Sequence, residues 1–250
     1  MDLKSSWLTK RYIAHRGFHS NNQICPENSL PAFQEAINRD FAIELDVRIT
    51  NDGKIITFHD DNLRRMTGFD KATGTCSYKE IEHLTLYDSE HKIPLLESVL
   101  ELVNEKVPIV IEIKSGEEVG FLESELYAII KRYKGEFVIQ SFNPYSMKWF
   151  KENAPGIIRG QLSGDFKNEN LPFYKKFLLK NLLLNKESSP SFINYDINCM
   201  PNWRLEWERK KGLLILGWTA KTKEQYEIAK KYCDNVVFEG FDPRGDINEF

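Results

Sequence analysis

Three acidic residues stand where two predicted strands would bring their side chains together. Glu44 and Asp46 lie two positions apart in the alternating run 42–49, so their side chains share one face of a strand. Glu112 lies near the end of a second β-rich run, 108–113. Crowded carboxylates repel one another and are costly to bury unless a cation joins them. Oxygen donors of this kind predict a Mg²⁺ or Ca²⁺ site rather than a Zn²⁺ site.

Two histidines and two cationic residues are predicted to flank this metal site. His15, followed by Arg16, ends the first β-rich run, and His59 ends a short run after the second strand. Two histidines beside a metal-bound anion can act as general base and general acid. The sequence leaves open which histidine is the base, with His15 favoured as base and His59 as acid. Arg16 and Lys114 would supply positive charge for a phosphate.

Each of these residues also has a plain structural interpretation. Glu44 and Asp46 would suit a solvated strand end, and Glu112 with Lys114 would suit an ion pair at a barrel mouth. A single histidine is more often structural than catalytic. The joint position of all these residues at the ends of neighbouring strands favours an active site instead. The other histidines lack this placement and are interpreted as surface or loop residues: His19, His83 and His91.

The elements that must position these residues alternate between short β-rich runs and helical patterns, as in consecutive βαβ units. The predicted strands are 12–14, 42–49, 108–113, 136–141, 157–161, 192–195, 213–218 and 235–238. The predicted helices are 29–39, 98–104, 119–133, 144–153, 171–184, 203–211 and 223–232. This alternation predicts an α/β fold, the (β/α)8 TIM barrel, with an open doubly wound sheet as the structural alternative. Few residues follow the last strand, so a final helix is expected to be short or absent.

The interval between the second and third barrel strands is longer than a simple loop requires. Residues 51–53 read Asn-Asp-Gly, a turn signal, and residues 54–58 form a short predicted strand that ends at His59. We therefore predict a single domain over residues 1–250 with an inserted subdomain at about 51–93.

Composition and charge restrict the classes of protein and partner. Of the 250 residues, 41% are hydrophobic and 28% charged, which is typical of a globular protein. The formal net charge of -3 gives no basic field to collect nucleic acid, so no nucleic-acid partner is expected. No apolar run has the length of a membrane span or the pattern of a secretion signal. We therefore expect a cytoplasmic protein whose four cysteines are thiols rather than disulfides.

Several motifs resemble those of the glycerophosphodiester phosphodiesterase family in order and spacing. They are His15-Arg16-Gly17, Pro26-Glu27-Asn28-Ser29, Ile43-Glu44-Leu45-Asp46-Val47, Thr50-Asn51-Asp52-Gly53, Phe58-His59-Asp60, Glu112-Ile113-Lys114 and Trp218-Thr219. The resemblance implies a barrel with a small insertion after the second strand and acid–base catalysis by the two histidines. It also implies metal ligation by Glu44, Asp46 and Glu112. Glu27 matches a family carboxylate near the metal, either as a direct ligand or as an anchor of its loop.

The rim that would hold the leaving alcohol departs from the family pattern. Lys221 stands where many members carry Asn, and Glu239 stands where Asp is common. Trp218 would line the alcohol pocket, and Phe142 is a weaker candidate for the same role. A barrel-core aromatic explains Trp218 equally well. These departures affect the identity of the alcohol and leave the reaction class unchanged.

The predicted activity is metal-dependent hydrolysis of a small-molecule glycerophosphodiester to an alcohol and glycerol 3-phosphate. The nucleophile is either water or the glycerol 2-hydroxyl, which would give a cyclic phosphate. A lysophospholipase D-like phosphodiesterase on the same barrel is an alternative, and an apolar lip from Phe18, Phe69 and residues 173–184 would favour it. A non-catalytic phosphate-binding barrel is the alternative from another class, and the complete set of site residues counts against it.

Overall fold

The computed structural model describes residues 3–20, 24–116, 118–167 and 169–245. The strands are β1 (Ile13–Ala14), β2 (Ala42–Ile49), β3 (Ile55–Thr57), β4 (Ile109–Ile113), β5 (Phe137–Ser141), β6 (Arg159–Ser163), β7 (Phe192–Asp196), β8 (Leu214–Ala220) and β9 (Asn235–Phe238). The α-helices are α1 (Trp7–Lys10), α2 (Leu30–Asn38), α3 (Arg64–Thr67), α4 (Tyr78–Ile81), α5 (Leu96–Val103), α6 (Phe121–Ile130), α7 (Pro144–Asn153), α8 (Phe173–Lys180), α9 (Asn185–Ser188), α10 (Trp203–Lys210) and α11 (Lys223–Ala229).

The order of the strands gives the topology. They are hydrogen bonded in the order β1-β9-β8-β7-β6-β5-β4-β2-β3, with a further pairing of β1 with β2. The pairing of β1 with β2 closes a ring of eight strands, and β3 is added antiparallel beside β2. The strand pairs β2–β4, β5–β6, β6–β7, β7–β8 and β8–β9 are parallel. This topology confirms the predicted (β/α)8 barrel and excludes the open doubly wound sheet.

Most predicted elements are present, and several of their boundaries differ by a few residues from the prediction. β6 begins and ends later than predicted, at Arg159 and Ser163. The predicted helix 171–184 is interrupted, because α8 ends at Lys180 and Leu182 adopts a left-handed φ of 57° before α9 begins. The segment after β9 forms turns as far as residue 245. The remaining residues, where a short or absent final helix is expected, lie outside the described part of the chain.

The described residues divide into two compact units, residues 14–137 and residues 3–13 with 138–245. In the first unit, Ser29 caps the start of α2: its hydroxyl accepts a hydrogen bond from the Ala32 N–H at 3.4 Å. Pro31 lies in the first turn, where its missing N–H costs no helical hydrogen bond. The Phe33 side chain of α2 is completely buried, and its packing anchors the segment that follows the loop at residues 15–17.

The segment proposed as an insertion lies within the first unit. β3 pairs antiparallel with the end of β2, with Val47 opposite Thr57 and Ile49 opposite Ile55. Residues 51–93 also hold most of an apolar cluster of their own, whose buried members are Ile56, Phe58, Leu63, Met66, Cys76, Ile81, Leu86 and Ile93. The assignment of one domain over residues 1–250 with an inserted subdomain at about 51–93 stays a prediction.

Truncation of Leu63 tests whether this cluster stabilises the insertion. Leu63 is fully buried, so Leu63→Ala is expected to lower the free energy of unfolding by about 2–5 kcal/mol, through lost apolar burial and the cavity left behind. The measurement is urea denaturation followed by fluorescence and circular dichroism. Leu183→Ala is the control, since that side chain is 40% exposed and its removal is expected to cost less than about 1 kcal/mol. Equal costs for the two variants would contradict this prediction.

The second unit contains β5–β9 and the helices α7–α11. Asn143 caps α7 by accepting from the Tyr145 N–H at 3.0 Å, and Pro144 follows it at the first helical position. Buried polar side chains lie within its strands, where Asn194 donates to Gln140 Oε1 at 3.0 Å. The four cysteines form no disulfide, and none of the helices described is long and apolar enough to cross a bilayer.

Candidate active site

The three predicted carboxylates come together in the first unit. β2 and β4 are parallel neighbours with Asp46 opposite Glu112, and Glu44 lies two residues before Asp46 on the same face. Glu44, Asp46 and Glu112 each place one oxygen within 4.8 Å of the others. The three residues are 1%, 0% and 5% exposed, which excludes the interpretation as a solvated strand end.

Arg16 and Lys114 lie inside this acidic cluster, where both are ion paired. Lys114 Nζ lies 3.1 Å from Asp46 Oδ1 and is also paired with Glu112. Arg16 Nε lies 3.2 Å from Asp46 Oδ2, and its Nη1 donates to Glu27 Oε1 at 2.7 Å. The ion pair that we considered for Glu112 with Lys114 is therefore present. It compensates buried negative charge, and a role in phosphate binding stays a prediction.

The charges of the cluster shift the pKa values of Asp46 and Glu44 in opposite directions. Burial raises the pKa of Asp46, but Lys114 and Arg16 outweigh it and hold that pKa well below its usual range. Burial raises the pKa of Glu44, and the neighbouring Asp46 and Glu112 raise it further. The positive charge present thus compensates Asp46 more fully than Glu44.

Glu44 provides the test of whether a cation fits this site. Its Oε2 accepts from the Arg16 backbone N–H at 3.0 Å. Its Oε1 is buried and has no hydrogen-bond partner among the described residues. A buried carboxylate oxygen without a partner is costly. The oxygen-only donor set and this unsatisfied atom fit a hard divalent cation such as Mg²⁺ or Ca²⁺.

His15 lies at the edge of the acidic cluster, on a loop that is closely packed. Its Nε2 lies 4.0 Å from Glu44 Oε2. Arg16 and Gly17 both have positive φ, and a side chain on Gly17 would approach Ala32 to 2.9 Å. Gly17 is therefore required at this turn, and its N–H donates to the Glu44 carbonyl at 3.1 Å. The turn holds His15 beside the carboxylates.

His59 enters a hydrogen-bond network that the sequence did not reveal. Its Nδ1 lies 2.7 Å from Asp60 Oδ1. Arg65 donates to both Asp60 oxygens, at 2.6 and 3.0 Å, and to both Glu27 oxygens, at 2.6 and 3.1 Å. Its Nη1 also donates to the Tyr87 hydroxyl at 2.9 Å. The insertion therefore connects His59 to the loop that carries Glu27.

The chain is similar to known proteins over most of its length. Residues 15–238 match the model of the glycerophosphoryl diester phosphodiesterase family. The chain belongs to that family. A glycerophosphodiester phosphodiesterase of Caldanaerobacter subterraneus subsp. tengcongensis is 32% identical, and the match covers 94% of this chain and 96% of that one. These findings confirm that this protein is an enzyme, a phosphoric diester hydrolase.

Two further matches bear on the fold and on the substrate class. A solved Oleispira antarctica phosphodiesterase, in complex with the product sn-glycerol-3-phosphate, is 21% identical with a TM-score of 0.75, and the match covers 94% of each chain. This likeness supports the barrel fold of the phosphodiesterase. A lysophospholipase D of Rattus norvegicus is 33% identical, over 60% of this chain and 51% of that one.

Glu27 and Asn28 have roles in the phosphodiesterase site that sequence reasoning left open or missed. Glu27 is buried, and its oxygens accept from Arg16 and Arg65, an arrangement that supports its alternative role as a loop anchor. Burial raises the pKa of Glu27, but its hydrogen bond with Arg65 and the charge of Arg16 outweigh this and lower it. The Asn28 side chain donates to Asp46 Oδ2 at 2.8 Å and accepts from the Asp46 N–H at 3.2 Å. The sequence signal that could have identified both residues is the motif of residues 26–29.

The exposure of three residues outside the acidic cluster can be compared with its sequence-based prediction. His19 lies in a loop, one of the two predicted alternatives, and its side chain is buried there with 3% exposed. His83 is exposed, as predicted. Phe18 is 2% exposed because its ring packs against Phe41, so it cannot form part of an apolar lip.

The aromatic candidates for the alcohol pocket lie in the second unit of the phosphodiesterase. The rings of Phe142 and Trp218 pack edge to face with centroids 5.5 Å apart, and Phe166 packs on Phe142 at 5.9 Å. Trp218 Nε1 is buried and has no hydrogen-bond partner among the described residues. The two positions that depart from the family pattern lie together, with Lys221 Nζ 3.5 Å from Glu239 Oε1. A role in alcohol selection stays a prediction for these residues.

Proposed function

We propose that this phosphodiesterase hydrolyses glycerophosphodiesters to an alcohol and glycerol 3-phosphate with the help of one divalent cation and two histidines. The observation that carries the proposal is the buried group of Glu44, Asp46 and Glu112, whose oxygens converge within 4.8 Å. The similarity to the Caldanaerobacter enzyme over nearly the whole chain supports the same substrate class.

Glu44, Asp46 and Glu112 would hold the cation, Mg²⁺ or Ca²⁺. When bound there, it would supply Lewis-acid stabilisation of the negative charge that develops on the phosphoryl oxygens. Arg16 is paired with Asp46 and Glu27, and in the proposed mechanism it orients a non-bridging oxygen of the diester by hydrogen bonding. Lys114 offsets the negative charge of the carboxylates and of the incoming phosphate.

His15 and His59 are proposed to carry out the proton transfers. His15 accepts the proton of the nucleophile, which is either water or the glycerol 2-hydroxyl. In the second case the first product is a cyclic phosphate, which water then opens to glycerol 3-phosphate. His59 gives a proton to the leaving alkoxide. Asp60 holds the His59 ring through Nδ1, so Nε2 is the nitrogen available for that transfer. Because its side chain is 33% exposed, His59 can exchange its proton with solvent after each turnover.

Arg65 is proposed to position His59 rather than to contact the substrate. It binds Asp60 through both carboxylate oxygens, and Asp60 in turn holds the His59 ring. Arg65→Ala is expected to lower kcat by about 10- to 100-fold with a smaller change in KM, since groups that orient site residues typically carry effects of this size. Arg65→Lys is expected to be intermediate, because lysine cannot form the two bidentate pairs.

A neighbouring arginine provides the matched control for Arg65. The Arg64 side chain is 71% exposed and pairs with Asp70 at the surface, so Arg64→Ala is expected to leave kcat unchanged. If Arg65 acts through Asp60, the double variant Asp60→Asn with Arg65→Ala is expected to lose no more activity than the more affected single variant. Additive losses in the double variant would contradict a shared role.

A substrate panel tests the proposed reaction. The purified enzyme is incubated with glycerophosphocholine, glycerophosphoethanolamine and glycerophosphoglycerol, and with lysophosphatidylcholine, with Mg²⁺ or Ca²⁺ supplied in turn. Release of glycerol 3-phosphate from several head groups is the expected result. Cleavage of the lysophospholipid alone would favour the lysophospholipase D alternative, to which the rat relative points.

A further inference from the structure

Helix α8 carries an exposed aromatic face that the fold does not use. The side chains of Phe173, Tyr174 and Phe177 are 84%, 60% and 52% exposed, and no residue of the helix is buried. Phe173 and Phe177 lie one helical turn apart, and Tyr174 lies beside them. A contiguous group of large exposed aromatic rings marks an interaction site more often than a bare surface.

The attachment of α8 to the second unit involves its other end. Ser163, at the end of β6, donates its hydroxyl to the Leu179 carbonyl at 2.9 Å. The Tyr195 hydroxyl, from β7, donates to the Lys180 carbonyl at 3.1 Å. These hydrogen bonds hold the last turn of the helix and leave the rings of its first turns free for another contact. Substitution of the rings should therefore leave the fold intact.

A fourth exposed ring lies beside the opposite end of α8. The Tyr195 hydroxyl also accepts from Asn202 Nδ2 at 3.1 Å, so the start of α10 lies beside the end of α8. Trp203, the first residue of α10, is 72% exposed. Tryptophan and tyrosine are enriched where a protein meets the polar surface of a membrane, because their rings are apolar at one end and polar at the other.

The charge of α8 indicates what covers the aromatic face. The helix contains Lys175, Lys176 and Lys180 and no acidic residue. Aromatic and aliphatic side chains interleaved with lysines are typical of helices that lie on anionic lipid, where the rings enter the interface and the ammonium groups meet lipid phosphates. We propose that the aromatic face of α8, formed by Phe173, Tyr174 and Phe177, binds the surface of an anionic phospholipid bilayer. This inference does not depend on the proposed mechanism.

Vesicle flotation tests the inference with the intact enzyme. The wild-type protein is expected to float with vesicles of phosphatidylcholine and phosphatidylglycerol, to float weakly with phosphatidylcholine alone, and to be released by high salt. The variant F173S/Y174S/F177S is expected to lose about tenfold or more in partitioning. The variant K175E/K180E is expected to lose the preference for anionic vesicles. Phe121→Ser is the control, since that ring is 55% exposed but begins a helix without lysine.

Two further readouts distinguish a membrane surface from a contact between two copies of the chain and from a loss of fold. Circular dichroism and turnover of soluble glycerophosphocholine should be unchanged in the α8 variants, because their substituted side chains lie outside the site described above. Partitioning that stays at the wild-type level in F173S/Y174S/F177S would overturn the inference. So would a wild-type protein that ignores anionic vesicles but dimerises in light scattering, with the triple variant monomeric, because the face would then join two copies of the chain.

Discussion

Replacing His15 or His59 by alanine is expected to lower kcat for glycerophosphodiester hydrolysis by about 10²–10⁴ and to leave a folded, metal-binding protein. His59 is held by Asp60 at 2.7 Å, and His15 lies 4.0 Å from Glu44, so each ring has the fixed position that the proposed proton transfers require. Neither side chain is part of an apolar core, so their removal should cost little stability.

The measurement is steady-state kinetics with a soluble diester, together with thermal unfolding of each purified variant. His83→Ala is the matched control, since His83 is exposed and lies away from the carboxylates. A base and an acid that act at opposite ends of the same phosphorus centre should give a double variant that is hardly slower than the worse single variant. Near wild-type turnover in either single variant would show that the acid–base assignment is wrong.

The roles of the two histidines can also be separated. If His59 is the acid, a substrate with a leaving group that needs no protonation, such as a nitrophenyl ester, should restore much of the activity of His59→Ala. The same substrate should give little recovery in His15→Ala, because activation of the nucleophile is still missing. The opposite pattern of recovery would exchange the two roles.

The convergence of the three carboxylates could be predicted from the sequence, because strand periodicity determines the orientation of their side chains. Glu44 and Asp46 share a face since successive side chains alternate, and the parallel neighbour strand brings Glu112 opposite Asp46. The sequence pattern could not show that Arg16 and Lys114 pair with these carboxylates. Binding a phosphate and pairing with a carboxylate both call for a positively charged side chain at the same position.

Other features depend on tertiary contacts that leave no local pattern. Arg65 reaches Glu27 across 38 positions of sequence, through the folding of the insertion. His19 is buried although its neighbours read as a polar loop. The break between α8 and α9 follows from the left-handed conformation of Leu182, a leucine for which no local preference predicts that conformation. Short-range periodicity thus predicted the strands and the inward face, and long-range packing determined the rest.

Removal of divalent metal is expected to lower turnover by about a thousandfold or more. Readdition of Mg²⁺ or Ca²⁺ is expected to restore it. A thousandfold corresponds to about 4 kcal/mol of transition-state stabilisation, the size expected for a Lewis acid at a phosphoryl oxygen. Glu44 is the structural reason to expect a bound cation. Its buried Oε1 has no hydrogen-bond partner in the described chain, and burial, Asp46 and Glu112 raise its pKa. A bound cation would compensate this charge.

This compensation gives a readout that does not depend on activity. Metal at about one hundred times its dissociation constant should add about 2.7 kcal/mol to the free energy of unfolding and raise Tm accordingly. Asp46→Asn should remove most of the metal-induced rise, because it takes a central carboxylate from the group, whereas Asp70→Asn at the surface should retain it. Full turnover after exhaustive chelation, with no metal carried over, would exclude the carboxylate group as a catalytic metal site. A metal-induced rise in Tm that persists in Asp46→Asn would place the cation elsewhere in the chain.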